Sequence, residues 1–157
     1  APERAFARAL YFLNFRPRSR TEVEIYLNDK GFAKEAVADT IARLEDLGYL
    51  NDREFARIWI EHRSRLNPKG AYVLKGELRQ KGIKEAIIRE LLETIDEHKL
   101  AWKAAAPKLR RMKTIEKKVF IKKLGAFLIR RGFSYPISRE ICDQAWDHTY
   151  PAEHPDD

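Results

Sequence analysis

Four histidines, one cysteine and several close carboxylate pairs are the residues of this 157-residue chain with any prospect of chemistry. His62, His98, His148 and His154 are scattered, and none stands at metal-ligand spacing from a second His or Cys, so no metal is expected. Cys142 is alone, which excludes a disulfide framework, and it lies beside Ile141 on an apolar stripe as a core residue. Glu45-Asp46, and Glu22 with Glu24, fall between apolar stripe positions and read as solvated helix faces. Ser19, Ser64, Ser134 and Ser138 have no nucleophile-elbow context. The glycines build no phosphate cradle, because neither GxGxxG nor GxxxxGK followed by Ser or Thr occurs. The chain is therefore not read as an enzyme, and no cofactor is expected.

Charge is the more informative chemistry. The net charge is +7, but from Lys99 to Arg131 twelve Lys and Arg face one acid, Glu116, a net of +11 that leaves −4 for the rest. A patch of that density favours an anionic partner: nucleic acid, an acidic protein surface or a membrane. A merely solvated helix face is the competing reading. Tyr72 marks a second candidate, since it follows the loop Asn67-Pro68-Lys69-Gly70, flanked by Arg63, Arg65, Lys75, Arg79 and Lys81. A loop leading into a helix N-terminus can offer N–H groups and Lys side chains to a phosphate or carboxylate. An ordinary connecting loop explains it equally well.

These side chains must be positioned by helices. Only 7 Gly and 7 Pro are present, with long periodic apolar runs, which predicts an all-α fold. A first helix runs from about Ala5 to Phe15 and stops before Pro17. Ser19 to Glu22 is a capping box opening a second helix, with Val23 and Leu27 on one face, closed by Lys30-Gly31-Phe32. A third helix carries Val37, Ile41 and Leu44 up to Gly48, whose place suits a left-handed helix end. Tyr49 and Leu50 then plug the corner, and Asn51 opens the next helix with Glu54 at capping-box spacing. The stripes holding Phe55 with Trp59, and Phe120 with Leu124, are core rather than base-stacking platforms.

The pattern recurs. Lys81-Gly82-Ile83 lies 51 residues after Lys30-Gly31-Phe32, and Arg131-Gly132-Phe133 lies 50 residues further on. Leu27, Leu78 and Leu128 stand four residues before each Gly, and Val23, Leu74 and Leu124 eight before. Arg4-Ala5-Phe6-Ala7-Arg8 is echoed by Arg53-Glu54-Phe55-Ala56-Arg57, with Trp102 in the aromatic place of the third unit. A fixed period near 50 marks a tandem array whose units complete one another's cores. The boundaries read as residues 1–50, 51–98 and 99–149, three helices each, with a disordered acidic tail at 150–157. A lone cysteine fits a reducing, cytoplasmic setting, and no apolar run approaches the roughly 20 residues of a membrane span. Arg4 and Arg8 among Phe6, Leu10 and Phe12 are faintly leader-like, with an amphipathic helix the favoured reading.

Four stretches, in order, carry a resemblance: RSRTEVEIYL leading into KGF (Arg18 to Phe32), GYLNDREFA (Gly48 to Ala56), KGAYVLKGELRQKGI (Lys69 to Ile83) and LIRRGFSY (Leu128 to Tyr135). On these the chain resembles the RecX family, regulators of the bacterial recombinase RecA. Within GYLNDREFA the motif positions are Gly48, Tyr49, Leu50, Asn51, Asp52 and Phe55, with Gly31, Gly82 and Gly132 as the helix-ending glycines. Gly76 departs by interrupting a helix interior, and the third unit is the least similar.

The resemblance implies an elongated, curved array of three three-helix, helix-turn-helix-like repeats. It implies a monomeric, non-enzymatic protein that binds the RecA–single-stranded DNA filament. There it modulates ATPase, strand exchange and coprotease functions in recombination, repair and the SOS response, most often by inhibition. The charge asymmetry and the loop before Tyr72 suggest a division of labour for that role, in which Lys103, Lys108, Arg110, Arg111, Lys113, Lys117, Lys118, Lys122, Lys123, Arg130 and Arg131 face the polyanion. Arg63, Arg65, Lys69, Tyr72, Lys75 and Arg79 touch the recombinase. Two other classes compete. A stand-alone DNA-binding protein needs a recognition helix rich in Asn, Gln and Arg, whereas the basic unit is dominated by Lys. A structural adaptor predicts no nucleic-acid binding at physiological salt.

Overall fold

Every apolar stripe in the sequence becomes a helix. The computed structural model describes residues 2–112 and 116–151, and among them there is no strand. The first three helices are α1 (Pro2–Leu13), α2 (Arg20–Asp29) and α3 (Lys34–Asp46). The next are α4 (Asp52–Leu66), α5 (Ala71–Gln80) and α6 (Glu85–Leu92), followed by α7 (Glu97–Arg111), α8 (Lys117–Arg130) and α9 (Tyr135–Thr149). The fold is all-α, and the first helix begins and ends earlier than its stripe suggested.

Helix ends follow local chemistry. The Ser19 hydroxyl accepts from the Glu22 N–H at 3.2 Å, and the Glu22 carboxylate accepts from the Ser19 N–H at 3.1 Å, so the α2 capping box is complete. Asn51 caps α4 by accepting from the Glu54 N–H at 3.0 Å, whereas the Glu54 carboxylate is drawn to Arg57 at 2.7 Å instead of reaching back. Four helices stop on Gly31, Gly48, Gly82 and Gly132, with φ of 86°, 82°, 78° and 94°. After each, the next N–H returns to a leucine carbonyl: Phe32 to Leu27, Tyr49 to Leu44, Ile83 to Leu78 and Phe133 to Leu128, at 2.8–3.3 Å. Tyr49 does not plug its corner. This turn leaves its ring 58% exposed while Leu50, at 4%, takes the buried place.

The described chain packs as two compact units that cut across the sequence repeats: Ala1–Trp59 with Glu77–Glu93, and Ile60–Gly76 with Thr94–Asp157. In the first, Ala9, Val23, Leu27, Val37, Ile41, Leu44 and Leu50 form the core, and Gly82 lies against Thr21. In the second, Phe120, Leu124, Leu128, Phe133, Ile141 and Cys142 are among the buried residues, and Gly132 lies against Val73. Tyr150, read as the start of the tail, is half-buried and rests on Trp146 with ring centroids 4.4 Å apart. Residues 152–157 lie outside the described residues.

Candidate functional site

The cationic surface is built by α7 and α8. Burial of Leu100, Ala101, Ala104 and Ala105 on α7, and of Phe120, Leu124 and Leu128 on α8, turns the intervening basic residues outward. Lys103, Arg110, Arg111, Lys117, Lys118, Lys122, Lys123 and Arg130 are exposed, and Lys108 is half-buried. Lys113 lies outside the described residues. Among the described residues, Lys117, Lys118, Lys122, Lys123, Arg110, Arg111 and Arg130 have no carboxylate partner.

Two Lys also open α8 at its positive end, where a cation is unfavourable by roughly 0.3–1 kcal/mol, and the N-cap Glu116 makes no side-chain cap there. The arrangement concentrates like charge instead of neutralising it. Three members of the predicted patch have structural duties as well. Lys103 donates to the Ser64 carbonyl at 2.7 Å, and Lys108 lies over the Phe127 ring at 5.3 Å. Arg131 is half-buried, donates to Asn67 at 2.6 Å and also lies over the Phe127 ring at 4.7 Å.

The loop before α5 is not an open anion cradle. Gly70 N–H donates to the Arg131 carbonyl at 2.8 Å, and Tyr72 N–H to the Gly132 carbonyl at 3.2 Å. The Ala71 N–H is held by the Glu97 carboxylate. Burial pushes that carboxyl above its ordinary value, and the Ala71 N–H offsets this only in part. The N–H groups that sequence reasoning offered to a ligand are thus already bonded within the fold. Their partners lie 26 to 61 residues away, so no local signal announced them.

The remaining candidates divide. Tyr72 is 82% exposed and Arg65 is exposed, while Arg63, Lys69 and Lys75 are half-buried. Arg79 belongs to the first compact unit and is bonded to Glu85. Cys142 is fully buried, and burial raises its thiol to about 11, which suits packing and not nucleophilic chemistry. Among the described residues no group of His, Cys, Asp and Glu is placed to hold a metal, and no helix is long and apolar enough to cross a membrane.

Comparison with known proteins bears on this geometry. Residues 5–44 match the family description of the RecX first three-helix domain, and residues 51–92 that of the RecX second three-helix domain. The "Regulatory protein RecX" of Chlorobium phaeobacteroides (strain BS1) is 39% identical over 142 residues, covering 90% of this chain and 93% of that protein. The protein of the same description from Bacillus subtilis (strain 168) is 37% identical over 90% of this chain, which spans 55% of its length. The crystal structure of RecX from Lactobacillus salivarius shares the fold with a TM-score of 0.83 at 24% identity, covering 92% of this chain and 96% of that one.

Proposed function

Because the chain belongs to the RecX family of regulatory proteins, we propose that it regulates the RecA recombinase by binding the recombinase–single-stranded DNA filament, with inhibition as the usual outcome. On this reading it is a non-enzymatic cytoplasmic monomer, and its ligand is a protein–nucleic acid polymer. The observation that supports it is the α7–α8 surface. Seven exposed cations there lack carboxylate partners among the described residues, and two of them occupy the positive end of a helix. Such a surface repels itself until an anion arrives, and phosphates relieve both the crowding and the dipole mismatch. Tyr72 and Arg65, exposed beside the α5 joint, are the side chains assigned to the recombinase protein.

The test is fluorescence anisotropy of labelled single-stranded DNA, with and without recombinase, across a salt series. Each phosphate contact contributes a slope of about −0.7 in log K against log salt for single strands. The variant Lys118→Glu, Lys122→Glu, Lys123→Glu should flatten that slope by about 2 and weaken filament binding at least tenfold, with helicity retained. Unchanged affinity in a folded variant refutes the assignment of these lysines.

A further inference from the structure

One face of the first repeat stands open where its counterpart in the second repeat is satisfied. Arg4, Arg8 and Lys30 correspond to Arg53, Arg57 and Lys81. In the second repeat every one of these cations meets a glutamate: Arg53 bonds Glu90 at 2.5 and 2.8 Å, Arg57 bonds Glu54 at 2.7 Å, and Lys81 reaches Glu22 at 3.4 Å. Its apolar positions are covered as well, Ala56 being fully buried and Ile83 4% exposed, and Gly82 lies against Thr21 of α2. Lys81 is thus answered by an acid in the first turn of the helix that covers it.

The first repeat keeps the same cations without the acids. Arg4, Arg8 and Lys30 are exposed and have no carboxylate partner among the described residues. With Ala7, Tyr11 and Phe32 they line a concavity of about 680 Å³ that, among the described residues, no acidic side chain borders. Ala7 is exposed where Ala56 is buried, Tyr11 is 61% exposed, and nothing lies within 4 Å of a Cβ built on Gly31.

We propose that this face docks an acidic helical segment of a partner protein. Glutamate or aspartate side chains meet Arg4, Arg8 and Lys30, and an apolar side chain settles against Tyr11 and Phe32. Carboxylates are favoured over phosphates because three glutamates satisfy these same positions one repeat later. If the regulatory reading above holds, the segment belongs to the protein component of the filament and not to its DNA.

The test compares the intact chain with Arg4→Glu, Arg8→Glu, Lys30→Glu and with the charge-neutral Gln triple variant, all checked for helicity and melting temperature. Three probes are used: a fluorescein-labelled helical glutamate–leucine peptide, a labelled dT oligomer, and preassembled recombinase filament. The proposal expects peptide affinity to fall at least tenfold in the Glu variant and less in the Gln variant, with dT affinity within twofold of the intact chain. Parallel loss of peptide and dT overturns it in favour of a general polyanion surface, and unchanged peptide affinity, including no binding by the intact chain, also overturns it. Failure of the intact chain to bind filament sinks the regulatory reading alone, because the peptide still judges the groove.

Discussion

The Tyr72 amide donates to the Gly132 carbonyl at 3.2 Å, seating the start of α5 on the glycine that ends α8. A related joint recurs in the other compact unit, where Gly82, ending α5, lies against Thr21 in the first turn of α2. Thr21 and Tyr72 are 51 residues apart, and Gly82 and Gly132 are 50 apart, so the stacking contact repeats with the sequence. Gly82 and Gly132 therefore do two jobs: they end a helix and they admit a neighbour.

These two jobs separate by substitution. Gly31→Ala meets no atom within 4 Å and suffers only the positive φ, about 1–2 kcal/mol. Gly132→Ala adds a Cβ 2.7 Å from the Val73 backbone nitrogen and 2.6 Å from its side chain. That substitution should destabilise by about 4 kcal/mol or more. Urea unfolding of the two variants measures the difference, and equal midpoints would contradict the joint.

The two N-caps should also differ. Ser19 is fully buried and its box is complete, so Ser19→Ala should lower stability by about 1–2 kcal/mol. Asn51 is exposed and capped on one side only, so Asn51→Ala should lower it by about 0.5–1 kcal/mol. Thermal melts at neutral pH rank them.

Two carboxylates give stability opposite dependences on pH. Burial pushes Glu22 up, but hydrogen bonds from Arg16 and Ser19 and the charges of Arg16 and Lys81 hold it below its ordinary 4.5. Its contribution is present above 4.5 and is lost as pH falls through the lower folded value. Glu97 is raised by burial, so its charged form is penalised above its folded value, and the penalty is relieved as pH falls towards 4.5. Glu22→Gln should lower stability at pH 7 by about 1 kcal/mol after solvent screening, with the deficit closing below 4.5. Glu97→Gln should leave the melting temperature at pH 7 unchanged or raised.

Much of this was legible in the residues because it is local. The Ser19 box, the four helix-ending glycines and the leucines four residues before three of them are read within a few positions of sequence. The period of about 50 then assigned equivalent core places, and Leu27, Leu78 and Leu128 are all fully buried. What escaped depends on distant partners. Nothing near Gly70 indicates that its N–H belongs to Arg131, or that Glu97 occupies the start of α5. Arg4 and Arg8 read as one turn of an amphipathic helix, and their lack of acids has meaning only beside Arg53 and Arg57, which have them.

The central claim is tested most directly by the DNA-dependent ATPase of RecA on single-stranded DNA, with this protein titrated from far below one per recombinase subunit. The account predicts a change in ATP hydrolysis at substoichiometric amounts, and a rightward shift of the titration for the Lys118→Glu, Lys122→Glu, Lys123→Glu variant. No change until the protein is abundant enough to coat the DNA would contradict it, leaving simple competition for phosphates.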